Sequence, residues 1–269
     1  MKNAIAVGTI GIGLSFAMLA FGYMAGNDTA AGQLTSPNAE RVAGLDKGAI
    51  EAIVRDYLVA NPEIMLEVQV ALEEQQNEER RMAQSGAIGT SSELIFNAGY
   101  DGIVGNPQGE VTIVEFFDYN CGYCERALSD MLALVADDPE LRFVMKEFPI
   151  LGPDSQKAHV VSMAFRALAP DQYGDFHQAL LSHPGRANEA SAMKIALSLG
   201  VEEAALREEM NNPDINAALG ETYALATQLA ITGTPSYVVG KEVIFGAQGR
   251  DALAVKIEAA RECAVTAVC

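Results

Sequence analysis

Two cysteines, Cys121 and Cys124, stand three residues apart at the end of the stretch VTIVEFFDYNCGYC. A Cys-x-x-Cys pair supports either of two chemistries. One is thiol–disulfide exchange, in which a thiolate attacks a disulfide and the second thiol resolves the mixed disulfide. The other is metal binding. Zinc sites of this spacing draw further ligands from a second matched Cys or His pair. The remaining cysteines, Cys263 and Cys269, lie far away at the C-terminus and do not match that spacing. Copper(I), a soft ion suited to two thiolates, is the metal alternative that stays open.

The surrounding elements favour redox. Val111, Ile113, Val114, Phe116 and Phe117 form a near-continuous apolar run, as in a central strand covered on both faces. Asp118, Tyr119 and Asn120 supply a turn. Beyond it, Ala127, Leu128, Met131, Leu132 and Val135 recur with helical period. Cys121 therefore falls at a helix N-terminus, where unpaired N–H groups and the helix dipole favour the thiolate. This makes Cys121 the nucleophile and Cys124, one turn further in, the resolving thiol. A dry site also needs a base for Cys124, and a buried carboxylate has its pKa raised toward neutrality. Glu115, within the strand, is the candidate.

Acidic residues outnumber basic ones 36 to 18 over 269 residues, a net charge of −18. That balance argues against nucleic acid or anionic lipid as partners. The chain has no Trp and three His, and the spacing of His159, His177 and His183 fits no metal-ligand motif. They read as surface or capping residues. No metal site and no cofactor is expected.

Between Lys2 and Asp28 the sequence carries no charge, and Ile5 to Ala25 is small and apolar. Residues 1–26 read as a signal peptide or membrane anchor, which would export the remainder. In that setting disulfides are permitted. Residues 27–45 read as a linker. Residues 46–86 read as a helical arm and candidate oligomerisation stalk, with Asp46 and Asn61 as caps and Pro62 opening the second helix. A loop is expected over 85–92. The compact domain is expected over 93–269, with short strands at Leu94-Ile95-Phe96 and Ile103-Val104. A second long strand, LRFVMKEFPI from Leu141, completes a βαβ unit. The pattern over 155–230 is helical, and strands resume at Ser236–Val239 and Val243–Phe245. A last helix covers Asp251–Arg261.

From Glu93 to about Ala260 the chain resembles the thioredoxin superfamily, and within it the DsbA-like periplasmic thiol–disulfide oxidoreductases. The resemblance rests on FFDYNCGYC, the helical insertion, and Thr234-Pro235 before the third strand. It implies an α/β thioredoxin fold with an inserted helical subdomain, plus the N-terminal helical arm. It further implies that the Thr234-Pro235 bond is cis and that this loop, with Gly122 and Tyr123, meets substrate. By the same resemblance Glu115 relays protons for Cys124, with Lys146 as its charged neighbour. Gly122-Tyr123 departs from the Pro-His of strongly oxidising DsbA enzymes. A Cys121 pKa between about 7 and about 3.5, the thioredoxin and DsbA extremes, is expected. The Gly-Tyr pair and the arm are more similar to the ScsC, or suppressor-of-copper-sensitivity, branch.

The expected function is exchange, as oxidase or isomerase, with exported client proteins, served by a membrane redox partner. Homo-oligomerisation through 46–86 is the expected use of the arm. Cys263 and Cys269 are expected to form a local structural disulfide. A structural adaptor whose cysteines are incidental is the remaining alternative.

Overall fold

The computed structural model describes residues 46–266. The readings of 1–26 and 27–45, and that of Cys269, lie outside the described residues. The chain divides into two compact units, residues 1–70 and 71–269.

In the first unit α1 (Lys47–Ala60) starts at Asp46, whose Oδ1 accepts the Ala49 N–H at 2.8 Å. Asn61 closes it by donating to the Tyr57 carbonyl at 2.8 Å. No residue of α1 is buried. α2 (Glu63–Thr90) begins in this unit. Ile53, Val54 and Tyr57 of α1 are exposed, as are Met65, Leu66 and Val68 of α2.

In the second unit the loop expected over 85–92 is absent, because α2 continues to Thr90. Gly86 and Gly89 cost a helix about 1 kcal/mol each. Burial offsets them: Ile88 joins an apolar cluster with Val114 and Phe116, and the Gln84 amide donates to the Leu229 carbonyl at 2.8 Å. The strand expected at Leu94-Ile95-Phe96 is instead the short helix α3 (Ser92–Phe96). Ile95 turns inward while Leu94 stays exposed. An apolar triplet this short carries no period to tell the two apart.

The sheet holds β1 (Gly102–Gly105), β2 (Val111–Phe117), β3 (Leu141–Glu147), β4 (Ser236–Val239) and β5 (Glu242–Phe245), in the order β1-β3-β2-β4-β5. β2 and β3 are parallel and joined by α4 (Gly122–Asp137); the other pairs are antiparallel. Strand parity sorts β2 between two cores. Ile113 and Phe117 pack with Cys124, Leu128 and Met131. Val114 and Phe116 face Ile88, Ile95, Leu225 and Leu229. Burying each large side chain contributes roughly 1.5–3 kcal/mol, so this strand anchors both layers.

Between β3 and β4 lies the helical insertion. It comprises α5 (Pro153–Leu168), a 3₁₀ turn (Pro170–Gln172), α6 (Tyr173–Leu181), α7 (Glu189–Ser198), α8 (Glu203–Glu209) and α9 (Pro213–Gln228). α10 (Arg250–Thr266) returns to the first core through Leu253 and Ile257.

Candidate active site

β2 ends at Phe117, the chain turns through Asp118-Tyr119-Asn120, and Cys121 becomes the N-cap of α4. There its sulfur accepts the Cys124 N–H at 3.4 Å. On its other side the Cys121 thiol donates to the Thr234 carbonyl at 3.2 Å. The Thr234-Pro235 peptide is cis and leads into β4, so the loop expected to meet substrate faces the nucleophile.

The two thiols differ sharply. The pKa of Cys121 is brought down to about 5, chiefly because the Cys124 thiol donates to the thiolate. The Thr234 side chain and the backbone N–H groups of Cys124 and Tyr123 assist, and partial burial opposes. This lies between the two extremes of about 7 and about 3.5. Cys124 is fully buried, and its thiol is pushed far up by that burial, by its bond to Cys121 and by the charge of Glu115. Both cysteines are free.

Glu115 is 1% exposed, and neither carboxylate oxygen has a protein hydrogen-bond partner. Burial first, and the Cys121 thiolate second, raise its pKa to about 8. A carboxyl with that pKa can give or take a proton near neutral pH. Its electrostatic coupling to both cysteines places it within their field.

Lys146 is not its partner, contrary to expectation. In the β2–β3 register Glu115 stands beside Met145, and Lys146 beside Phe116. Successive strand residues face opposite sides. Lys146 therefore belongs to the other face, where it pairs with Asp101 at 2.5 Å and donates to the Leu94 carbonyl.

Gly122 and Tyr123 are exposed at the mouth, with the Arg126 guanidinium 4.1 Å from the Tyr123 ring centre. A cavity of about 230 Å³ opens beside Cys121, with Asn120, Glu125, His183 and Arg186 in its wall. Cys263 is disulfide-bonded; Cys269 lies outside the described residues.

His159 and His177 are not surface residues: both are buried, His159 completely. They belong to a polar group that sequence reading missed. His159 pairs with Glu147, and Glu147 also accepts from Ser162 at 2.6 Å and Tyr173 at 3.0 Å. Burial, with His159 nearby, takes His177 down to about 3, so it is neutral at physiological pH. These residues come from β3, α5 and α6, and no spacing in the chain announces their meeting.

A reactive thiolate beside a protonated, buried thiol is a two-electron device, and here it is carried on a thioredoxin fold with a helical insertion: the architecture of a thiol–disulfide oxidoreductase. The chain belongs to the DSBA-like thioredoxin domain family, which matches residues 112–258. Residues 46–79 match the copper resistance protein ScsC N-terminal domain. A thioredoxin-like oxidoreductase from Silicibacter pomeroyi is 38% identical, with 63% of this chain and 97% of that chain covered at a TM-score of 0.60. The thiol-disulfide exchange protein alpha-DsbA2 from Wolbachia pipientis is 28% identical, covering 67% and 97% at 0.62. Proteus mirabilis ScsC, in a transitional conformation, is 26% identical and covers 81% and 97% at 0.60. Among curated relatives, the Na(+)/H(+) antiporter NhaA 1 of Salinispora arenicola is 26% identical over 162 residues. The chain spans about a quarter of the length of the curated relatives it matches. No helix among the described residues is long and apolar enough to cross a membrane.

Proposed function

We propose that this chain forms or isomerises disulfides in exported, periplasmic proteins by exchange through Cys121-Gly122-Tyr123-Cys124. The observation carrying the reading is the asymmetry of the pair: Cys121 at a helix N-cap with a pKa near 5, Cys124 buried and protonated. The Cys121 thiolate attacks a client disulfide, forms a Cys121–client bond and releases one client thiolate, which takes a proton. Two routes end the mixed disulfide. In the first, the released client thiolate attacks another client disulfide, and the client thiolate set free there attacks the client sulfur bonded to Cys121, so that Cys121 leaves as thiolate and the client is isomerised. Alternatively Glu115 accepts the Cys124 proton, Cys124 attacks Cys121, and the client leaves reduced. Run backwards, with a membrane partner reoxidising the pair, the same steps insert a disulfide. The loop at Thr234-Pro235 and the exposed Gly122-Tyr123 are the proposed client contacts.

The copper(I) alternative would use the same two sulfurs, whereas the match to the DSBA-like thioredoxin domain family and the cis Thr234-Pro235 loop against Cys121 support exchange. Exchange is therefore preferred. The arm is proposed to join copies of the chain, supported by its exposed apolar residues and its match to the ScsC N-terminal domain.

The test uses a client with scrambled disulfides and Cys263→Ser/Cys269→Ser protein. Cys121→Ser should abolish turnover, and Cys124→Ser should accumulate a covalent client adduct on Cys121. Full activity in Cys121→Ser, or stoichiometric anaerobic copper(I) binding without exchange, would sink the reading. The equilibrium with glutathione then sets direction. A potential near −120 mV marks an oxidase, and one near −200 mV or below an isomerase or reductase. In sedimentation, Leu66→Glu should dissociate any oligomer built on the arm.

A further inference from the structure

We propose that the helical insertion tunes the reactivity of Cys121 by clamping the turn Asp118-Tyr119-Asn120, with His159, braced by Glu147, as the central positioning residue. This rests on the exchange reading above and adds groups that act through the turn rather than on the sulfur.

Only three residues separate the end of β2 from the N-cap, and each is tied down from outside the strand. Asp118, fully buried, accepts from Ser155 Oγ at 2.8 Å and from the Leu151 N–H at 2.9 Å. It also accepts the Asn120 N–H at 2.8 Å, which closes the turn on itself. The Tyr119 N–H donates to His159 Nε2 at 3.3 Å, and its hydroxyl pairs with Ser162 at 2.8 Å. The Asn120 side chain donates to the Ala187 carbonyl at 3.0 Å and accepts the Ala187 N–H at 2.8 Å. Finally the Cys121 N–H returns to the Asp118 carbonyl at 2.9 Å.

His159 is the informative member. Because Nε2 accepts from the backbone, Nδ1 must carry the proton, and it donates to Glu147 Oε2. Glu147 thereby selects the tautomer, as an orienting carboxylate does for a histidine elsewhere. Buried polar groups stabilise a fold less than well-packed apolar ones of similar volume. An apolar side chain here would fill the space but leave the Tyr119 N–H unpaired at the turn that aims the nucleophile. What the histidine adds is direction. Cys121 holds its extended N-cap backbone (φ −87°, ψ 109°) only while this turn is closed, and that backbone presents its sulfur to the Cys124 N–H.

The experiment compares His159→Leu with His159→Gln, whose amide can still accept from Tyr119 and donate to Glu147. Both are read in reduced Cys263→Ser/Cys269→Ser protein by thiolate absorbance against pH, by equilibrium with glutathione, and by thermal melting. His159→Leu should move the Cys121 titration upward by about one pH unit. It should also move the glutathione equilibrium about tenfold toward the disulfide, roughly 30 mV for a two-electron couple. His159→Gln should restore at least half of both. A His159→Leu protein that melts earlier but keeps the parent's titration and equilibrium would overturn the proposal and leave His159 a merely structural residue. Should His159→Leu fail to fold, Asn120→Ala at the part-buried end of the clamp is read instead, and an unmoved titration there overturns it equally. The parent protein separates the two levels. If its Cys121 does not titrate below neutrality, the exchange reading falls and takes this one with it. A low parent titration with unmoved variants fails the clamp alone.

Discussion

Replacing Glu115 by glutamine should remove one pH-dependent weakness from the folded protein. The carboxyl is buried with no protein hydrogen bond, and its pKa rises from 4.5 to about 8. Above the unfolded pKa the unfolded chain loses its proton while the folded one keeps it. Folded protein therefore binds more protons, and stability falls as pH rises from about 4.5 until the folded group itself ionises near 8. At 1.36 kcal/mol per pH unit, the loss between pH 5 and pH 7.5 comes to about 3 kcal/mol. Cys121 works in the opposite sense. Its pKa is depressed in the fold, so it contributes stability that is present at high pH and lost as pH falls through about 5. A raw profile of the reduced protein would mix the two. The quantity to measure is the difference between Glu115→Gln and the parent, by urea unfolding at both pH values, in reduced protein and again in the disulfide form, where Cys121 does not titrate. The glutamine variant should gain about 3 kcal/mol on the parent across that interval. It should also resolve mixed disulfides more slowly, because Cys124 loses its proton acceptor. A difference that stays constant with pH would mean that Glu115 is ionised throughout, and the proton-relay role would fail with it.

Lys146→Met leaves Asp101, 3% exposed and already pushed up to about 7 by burial, without its cation. The expected cost is about 3–5 kcal/mol by denaturant unfolding at pH 7.5. The Cys121 titration should not move, since Lys146 faces the other side of the sheet; a shift there would contradict the register. Gly102→Ala would put a Cβ 2.0 Å from the Tyr173 ring, itself buried and donating to Glu147. A loss of about 3 kcal/mol is expected in thermal or urea unfolding, with partial recovery on adding Tyr173→Leu. Additive rather than compensating effects in that pair would refute the contact.

Much of the redox centre could be read along the chain because its signals are local. A β-branched and aromatic run, three turn residues and a 3.6-residue apolar period place Cys121 at a helix start whatever surrounds it. Glu115 is the one charge in that apolar strand, but its role follows from the family resemblance rather than from the pattern alone. The helices of the insertion were legible to within a few residues because proline, glycine and asparagine punctuate them. Where the reading failed, the deciding contacts were distant. The glycine-containing end of α2 stays helical because Ile88 and Gln84 find partners in the core and at Leu229, and Leu94-Ile95-Phe96 coils with Ile95 inside the core, Phe96 packed at its edge and Leu94 exposed. Lys146 went to Asp101 rather than Glu115 because parallel register, invisible along one strand, set their faces apart. The histidines were misplaced for the same reason: His159 becomes a buried backbone acceptor only once α5 lies against the turn and Glu147 ends the neighbouring strand. Local periodicity determined which atoms could react; which groups surround and hold them was decided by packing between segments far apart in the chain.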